Sequence, residues 1–110
     1  MAATAWSFYN SFKEKLGNAV FDLDAATPNF NMALFTNSAS TNANNVALST
    51  YASIANEVAN GNGYATGGVS VSGRTWASTA TNKYRWDATA VIWTATGGDI
   101  ADVKYAIIYK

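Results

Sequence analysis

Hydrophobic positions change their spacing along this chain, and the change separates its elements. Over about residues 5–16, apolar and aromatic side chains return every three or four positions, at Trp6, Tyr9, Phe12 and Leu16. That period predicts an α-helix. Thr4 is placed to cap its first turn with a hydroxyl acceptor. Gly17 is placed to end it in a left-handed conformation. Phe8 and Phe12 widen the stripe, so the helix is expected to bury two sides, or to bury one and offer the other. Val20, Phe21 and Leu23 form a short apolar segment, a strand or a helix extension, and Pro28 closes it because proline has no N–H to donate. Residues 30–36 alternate, with Phe30, Met32 and Leu34 on one face and Phe35 on the other, and predict a strand. Residues 37–45 (NSASTNANN) are polar without period and predict a loop. A second helix is predicted over about residues 50–59. Ser49 or Thr50 caps it, Tyr51, Ile54, Ala55 and Val58 form its apolar face, and Asn60-Gly61-Asn62-Gly63 ends it.

From residue 69 the pattern becomes β. Val69-Ser70-Val71 alternates, and Arg74-Thr75-Trp76 continues beyond Gly73, a candidate bulge. Residues 77–83 read as a Ser/Thr/Asn loop. Tyr84-Arg85-Trp86 leads into residues 90–96 (AVIWTAT), then a Gly97-Gly98-Asp99 break, then residues 103–109. The last two runs predict a strand pair whose final strand presents an edge, and an open edge needs a neighbour or a blocking device. The expected class is α+β: a mainly antiparallel β-sheet or small β-sandwich in the C-terminal two-thirds, with one or two short helices, as one domain over 1–110.

Composition narrows the chemistry. The 110 residues carry no net charge, so no basic stripe awaits a phosphate backbone and nucleic acid is not the expected partner. Without Cys there is no disulfide or thiolate, and without His the commonest general base and zinc ligand are both missing. A Ser-Lys pair using Lys13, Lys15, Lys83 or Lys104 would need a buried lysine. The expectation is a protein that is not an enzyme, takes no cofactor or small-molecule substrate and works by contact. The apolar runs fall short of the roughly 20 residues a membrane span needs, and the N-terminus lacks the features of a secretion signal. Charged residues are only 13% of the chain, with abundant Ala, Thr, Ser and Asn, as in a surface that packs against other surfaces.

A few side-chain groups invite a chemical reading. Asp22 and Asp24 share a face if their segment is a strand, as a calcium or acid–base pair would, although a solvated face is the simpler account. Asp99 and Asp102 flank the last turn and read as turn chemistry. The glycines near residues 61–68 follow a helix pattern instead of preceding one, so they are not a phosphate loop. Trp76, Trp86 and Tyr84 could form an aromatic platform for sugars, whereas Trp93 lies in an apolar run and reads as core.

Four segments, WSFYNSFKEKLG, FNMALFTNSAS, IANEVANGNGYATGGVSV and AVIWTATGGDIADVKYAIIY, resemble in order and spacing a family of small virion structural proteins of tailed bacteriophages. The resemblance covers most of the chain. It implies a location in the virion, assembled in the host cytoplasm, and most specifically a head decoration (cement) protein that binds the major capsid protein shell and copies of itself. The partner-binding residues expected on that reading are Trp6, Phe8, Tyr9, Asn37, Ser38, Asn42, Asn44 and Asn45. The alternatives are a tail, neck or fibre-associated protein, and a carbohydrate-binding module using Trp76, Trp86 and Tyr84. The family continues past the equivalent of Ile107-Ile108-Tyr109 with a turn and a further strand, whereas this sequence stops at Lys110. The expectation is an edge that a neighbouring subunit's strand completes.

Overall fold

The strand Asn31–Thr36 (β1) is the element around which the rest is arranged. Its run NMALFT places apolar side chains on both faces, and Ala33, Leu34 and Phe35 are all buried. The computed structural model describes residues 6–24, 29–39 and 45–110. Within them lie one helix, Asn10–Gly17 (α1), and the strands Val69–Ser70 (β2), Thr75–Ala80 (β3), Lys83–Asp87 (β4) and Val103–Tyr109 (β5). Pairing is antiparallel throughout, in a three-stranded sheet of order β2-β1-β5 and a separate β3-β4 hairpin. The fold is α+β with a mainly antiparallel sheet, as the patterning predicts. It is not a sandwich, because β3 is exposed along its whole length and encloses no core with the first sheet.

β1 and β5 pair with Ala33 opposite Ile107 and Leu34 opposite Ala106. On one face Ala33, Phe35, Ala39 and Ile107 form a core flanked by Tyr9, Tyr51, Ile54 and Tyr109. On the other, Leu34, Val58 and Tyr64 pack with Trp93 and Ile100. β2 comes close to β1 at Gly68, where a Cβ would lie 1.8 Å from the Met32 carbonyl oxygen and φ is +71°. Only glycine meets both demands without moving the backbone.

The second predicted helix is corrected. Tyr51–Ser53 make a single 3₁₀ turn, and the chain then runs extended beside β1. Thr36 N–H donates to the Asn56 carbonyl, and Val58 N–H to the Leu34 carbonyl, each at 2.9 Å. The edge of a buried strand thus takes the backbone groups that a helix would have used internally, and a short helix has little intrinsic stability with which to compete. Asn56 turns the chain with φ +65°.

Glu57, a helical position in the sequence pattern, instead collects donors from three places. Tyr51 Oη donates to its Oε2. Tyr64 Oη and the Gly67 N–H donate to its Oε1 at 2.6 and 2.7 Å. Tyr64 Oη also accepts the Leu34 N–H at 3.0 Å, and Tyr109 Oη donates to the Gly67 carbonyl at 2.7 Å. The Tyr51 and Tyr109 rings stack with centroids 4.1 Å apart. Burial, and the Glu57 carboxylate beside them, push the Tyr51 and Tyr64 hydroxyls well above the usual tyrosine range, and burial raises Tyr109. These groups are neutral in the folded state at a pH where the unfolded chain ionises. Their contribution is therefore complete below pH 10.0, the ordinary tyrosine value, and is lost as pH rises above it. Stability is expected to fall above that pH by up to about 1.4 kcal/mol per pH unit for each such tyrosine. Urea midpoints measured across the alkaline range check this, and a flat profile would contradict the network.

Five further expectations change. α1 begins at Asn10, with Tyr9 at the N-cap making no side-chain cap bond, and Thr4 lies outside the described residues. Gly17 is inside the helix, Asn18 caps it, and Ala19 takes the left-handed conformation at φ 56°. α1 buries none of its residues. Residues 20–23 are neither strand nor helix. Residues 77–80 belong to β3 and not to a loop, since a ribbon exposed on both faces shows no alternation to read.

Residues 90–96 are not a strand either. Thr96 N–H donates to the Asn62 carbonyl at 3.1 Å and Trp93 packs on Tyr64, while Ile92 is exposed. The expected pair with β5 does not form, because β5 pairs with β1. Among the described residues no strand pairs with the other edge of β5. Among them, too, no helix is long and apolar enough to cross a membrane.

Candidate functional site

A row of aromatic rings joins α1 to the hairpin. Phe8 stacks on Phe12, four residues on, at 5.1 Å. Phe12 meets Phe21 at 5.6 Å, Phe21 meets Phe30 at 5.3 Å, and Phe30 meets Trp86 at 5.9 Å. Such offset and edge-on pairs are favourable beyond the area they bury. Two cations lie over the row: the Arg74 guanidinium 4.8 Å from the Phe30 ring centre, and Lys110 Nζ 5.6 Å from Phe21. On the hairpin Trp76 sits directly across from Trp86 in the ladder, and its ring stacks with Tyr84 at 6.0 Å.

The hairpin is tied down at its base. Trp86 Nε1–H donates to the Leu23 carbonyl at 2.8 Å, and the Trp76 N–H donates to Asp24 Oδ1 at 3.2 Å. A two-stranded ribbon by itself is marginal in water, so these bonds and the Phe30–Trp86 contact hold it. Its far part stands clear. The row is covered in its middle and open at its ends, with Phe8 56% exposed and, on the hairpin, Trp76 49% and Tyr84 65%; Trp6, two residues before Phe8, is 62% exposed.

The residues named from sequence divide into three groups. Trp6 and Phe8 are exposed, whereas Tyr9 is half-buried against the Phe35 core, with its hydroxyl pushed above the usual range by burial. Tyr9 therefore anchors the segment that presents the other two. Asn37 and Ser38 are exposed on a 3₁₀ turn, Asn37–Ala39, where the Ser38 carbonyl accepts from Asn56 Nδ2 at 3.1 Å. Asn42 and Asn44 lie outside the described residues. Asn45 is exposed, and its Oδ1 accepts the Ala47 N–H. The Asn10 N–H donates to the Val46 carbonyl at 2.9 Å, which brings the start of α1 beside the end of the predicted loop.

The carboxylates of Asp22 and Asp24 serve the backbone. Asp22 Oδ1 accepts the Asp24 N–H in a bend, so the two do not share a strand face. Asp102 takes a left-handed turn conformation, φ 58°, and the Asp99 carbonyl accepts from Asn62 Nδ2. Among the described residues no group of three metal-ligating side chains converges. Trp93 is half-buried and packs as expected, with its Nε1–H buried and without a hydrogen-bond partner. Of the three platform candidates, Trp76 and Tyr84 are exposed and Trp86 is half-buried. No protein-family model, curated protein sequence or solved structure matches this chain.

Proposed function

We propose that this chain is a structural protein of a phage virion, a decoration protein that binds the major capsid protein shell and neighbouring copies of itself. The observation that carries the reading is the aromatic row with open ends. Trp and Tyr are prominent among the residues that carry interface energy, and here Phe8 at one end of the row and the stacked Trp76 and Tyr84 on the hairpin are offered to solvent, with Trp6 exposed two residues before Phe8. The outline of 45 × 28 × 27 Å is elongated, which suits a subunit that reaches across a junction. The open edge of β5 provides a place for a neighbour's strand. Repetition over a symmetric lattice supplies the avidity that one small contact lacks.

Trp6→Ala and a Trp76→Ala/Tyr84→Ala double variant test the reading. Each removes exposed side chains, so the fold should be kept. Occupancy on purified shells is expected to drop, with about 2 kcal/mol, roughly thirtyfold in affinity, for an anchor aromatic. Unchanged occupancy in both variants would overturn it. Density along the tail or neck would move the protein to the alternative virion site. Binding to a glycan array with no binding to shells would favour the carbohydrate reading of Trp76 and Tyr84.

A further inference from the structure

Helix α1 is a wall, not a packed layer. It buries no residue, and between it and the β1/β5 sheet lies a half-open groove of about 260 Å³. The floor is apolar, with Phe12, Phe30, Ile54 and Ile107 among its lining, and Lys15 and Lys110 are the charged residues that line it. Neither Asp nor Glu occurs among the described residues of the lining. The Lys110 ammonium lies 5.6 Å from the centre of the Phe21 ring, which also lines the groove.

Size decides between kinds of occupant. Small-molecule sites run from roughly 300 to 1,000 Å³ and enclose most of the ligand. This groove is smaller and open on one side. It matches one or two anchor side chains inserted from a partner.

We infer that the groove seats an apolar segment that carries a carboxylate, an acidic, aromatic or aliphatic stretch of the shell protein, with the side chain on the Phe12/Ile54/Ile107 floor and the carboxylate between Lys15 and Lys110. The assignment rests on the virion reading above. It separates two roles within that contact: the exposed rings add area, and the groove sets which segment is accepted, because a basic segment meets two like charges.

The probe is anilinonaphthalenesulfonate, an apolar aromatic anion, used with the full chain and with purified shells. The expected result is saturable one-site binding by the wild-type chain, displacement of the dye by shells, and at least about tenfold weaker binding of both dye and shells by Lys15→Glu/Lys110→Glu. Both lysines are exposed, so the double variant should fold, and its thermal melt verifies that. Ser49→Trp, an exposed rim position that would fill the mouth, serves as a second variant without charge reversal and should block both. No saturable dye binding, or equal binding by both variants, would overturn the groove as a site. Shell binding that neither displaces dye nor responds to the variants would overturn the inference while leaving the virion reading standing. Dye binding lost in the variants, with no shell binding by any form, would overturn the shell as partner and the virion reading with it.

Discussion

Glu57→Ala is expected to remove about 3 to 5 kcal/mol of folding stability, a large part of what a small domain has. The carboxylate gathers two tyrosine hydroxyls and a backbone N–H from Tyr51, Tyr64 and Gly67. Hydrogen bonds to a charged group contribute about 1.5 to 3 kcal/mol each, and partial access of water to the side chain keeps the sum below three full increments. The loss would not be local. Tyr64 also receives the Leu34 N–H from β1, and Tyr109 of β5 reaches the Gly67 carbonyl. One side chain therefore joins the extended segment at residues 54–58 to both long strands of the first sheet. Urea unfolding should show a large fall in midpoint. Glu57→Gln, which keeps the shape and one acceptor but turns a donor toward the hydroxyls, should lose less than Ala. A loss under about 1 kcal/mol for Glu57→Ala would mean that water replaces the carboxylate at no net cost.

Phe35→Ala should cost a similar amount, about 3 to 5 kcal/mol, through a different mechanism. Phe35, next to the end of β1, is wholly buried among Ala33, Ala39 and Ile107, with Tyr51 edge-on at 6.2 Å. Truncation removes the ring from its apolar surroundings and leaves a cavity that a strand paired on both edges cannot close. The two positions are not independent, because Phe35 and Glu57 face each other in an antiparallel bridge and share Tyr51. The double variant should therefore lose less than the sum of the singles, by about 0.5 to 3 kcal/mol of coupling. Strict additivity in a double-mutant cycle would show that the core and the polar network fail independently.

The candidate surface was partly legible. Trp6 and Phe8 were named from helical spacing, and both are exposed, although they precede α1 instead of lying on it. Trp76, Tyr84 and Trp86 were recognised as a possible platform from alternation alone. Their joining to Phe8, Phe12, Phe21 and Phe30 in one row was not legible, since the members are scattered from residue 8 to residue 86 and no local period links them. The groove was invisible for the same reason: helix, loop and the last strand contribute its lining.

What the sequence by itself determined is the set of local instructions: α1 from its three- and four-residue spacing, β1 from the FNMALFT run, the hairpin strand at Tyr84-Arg85-Trp86, β5 from VKYAIIY, and turns at Asn and Gly positions such as Asn62 and Gly97. These follow from backbone sterics and side-chain period, which act over a few residues. Tertiary structure alone decided which apolar runs became strands. Tyr51, Ile54 and Val58 carry a helical pattern, and residues 90–96 carry a strand pattern, yet neither adopts its local preference beyond one turn. β1 is the element with two apolar faces and two edges to satisfy. It took residues 56–58 and β2 on one side and β5 on the other, because leaving the hydrogen-bonding groups of a buried strand unpaired costs more than the intrinsic preference of either segment.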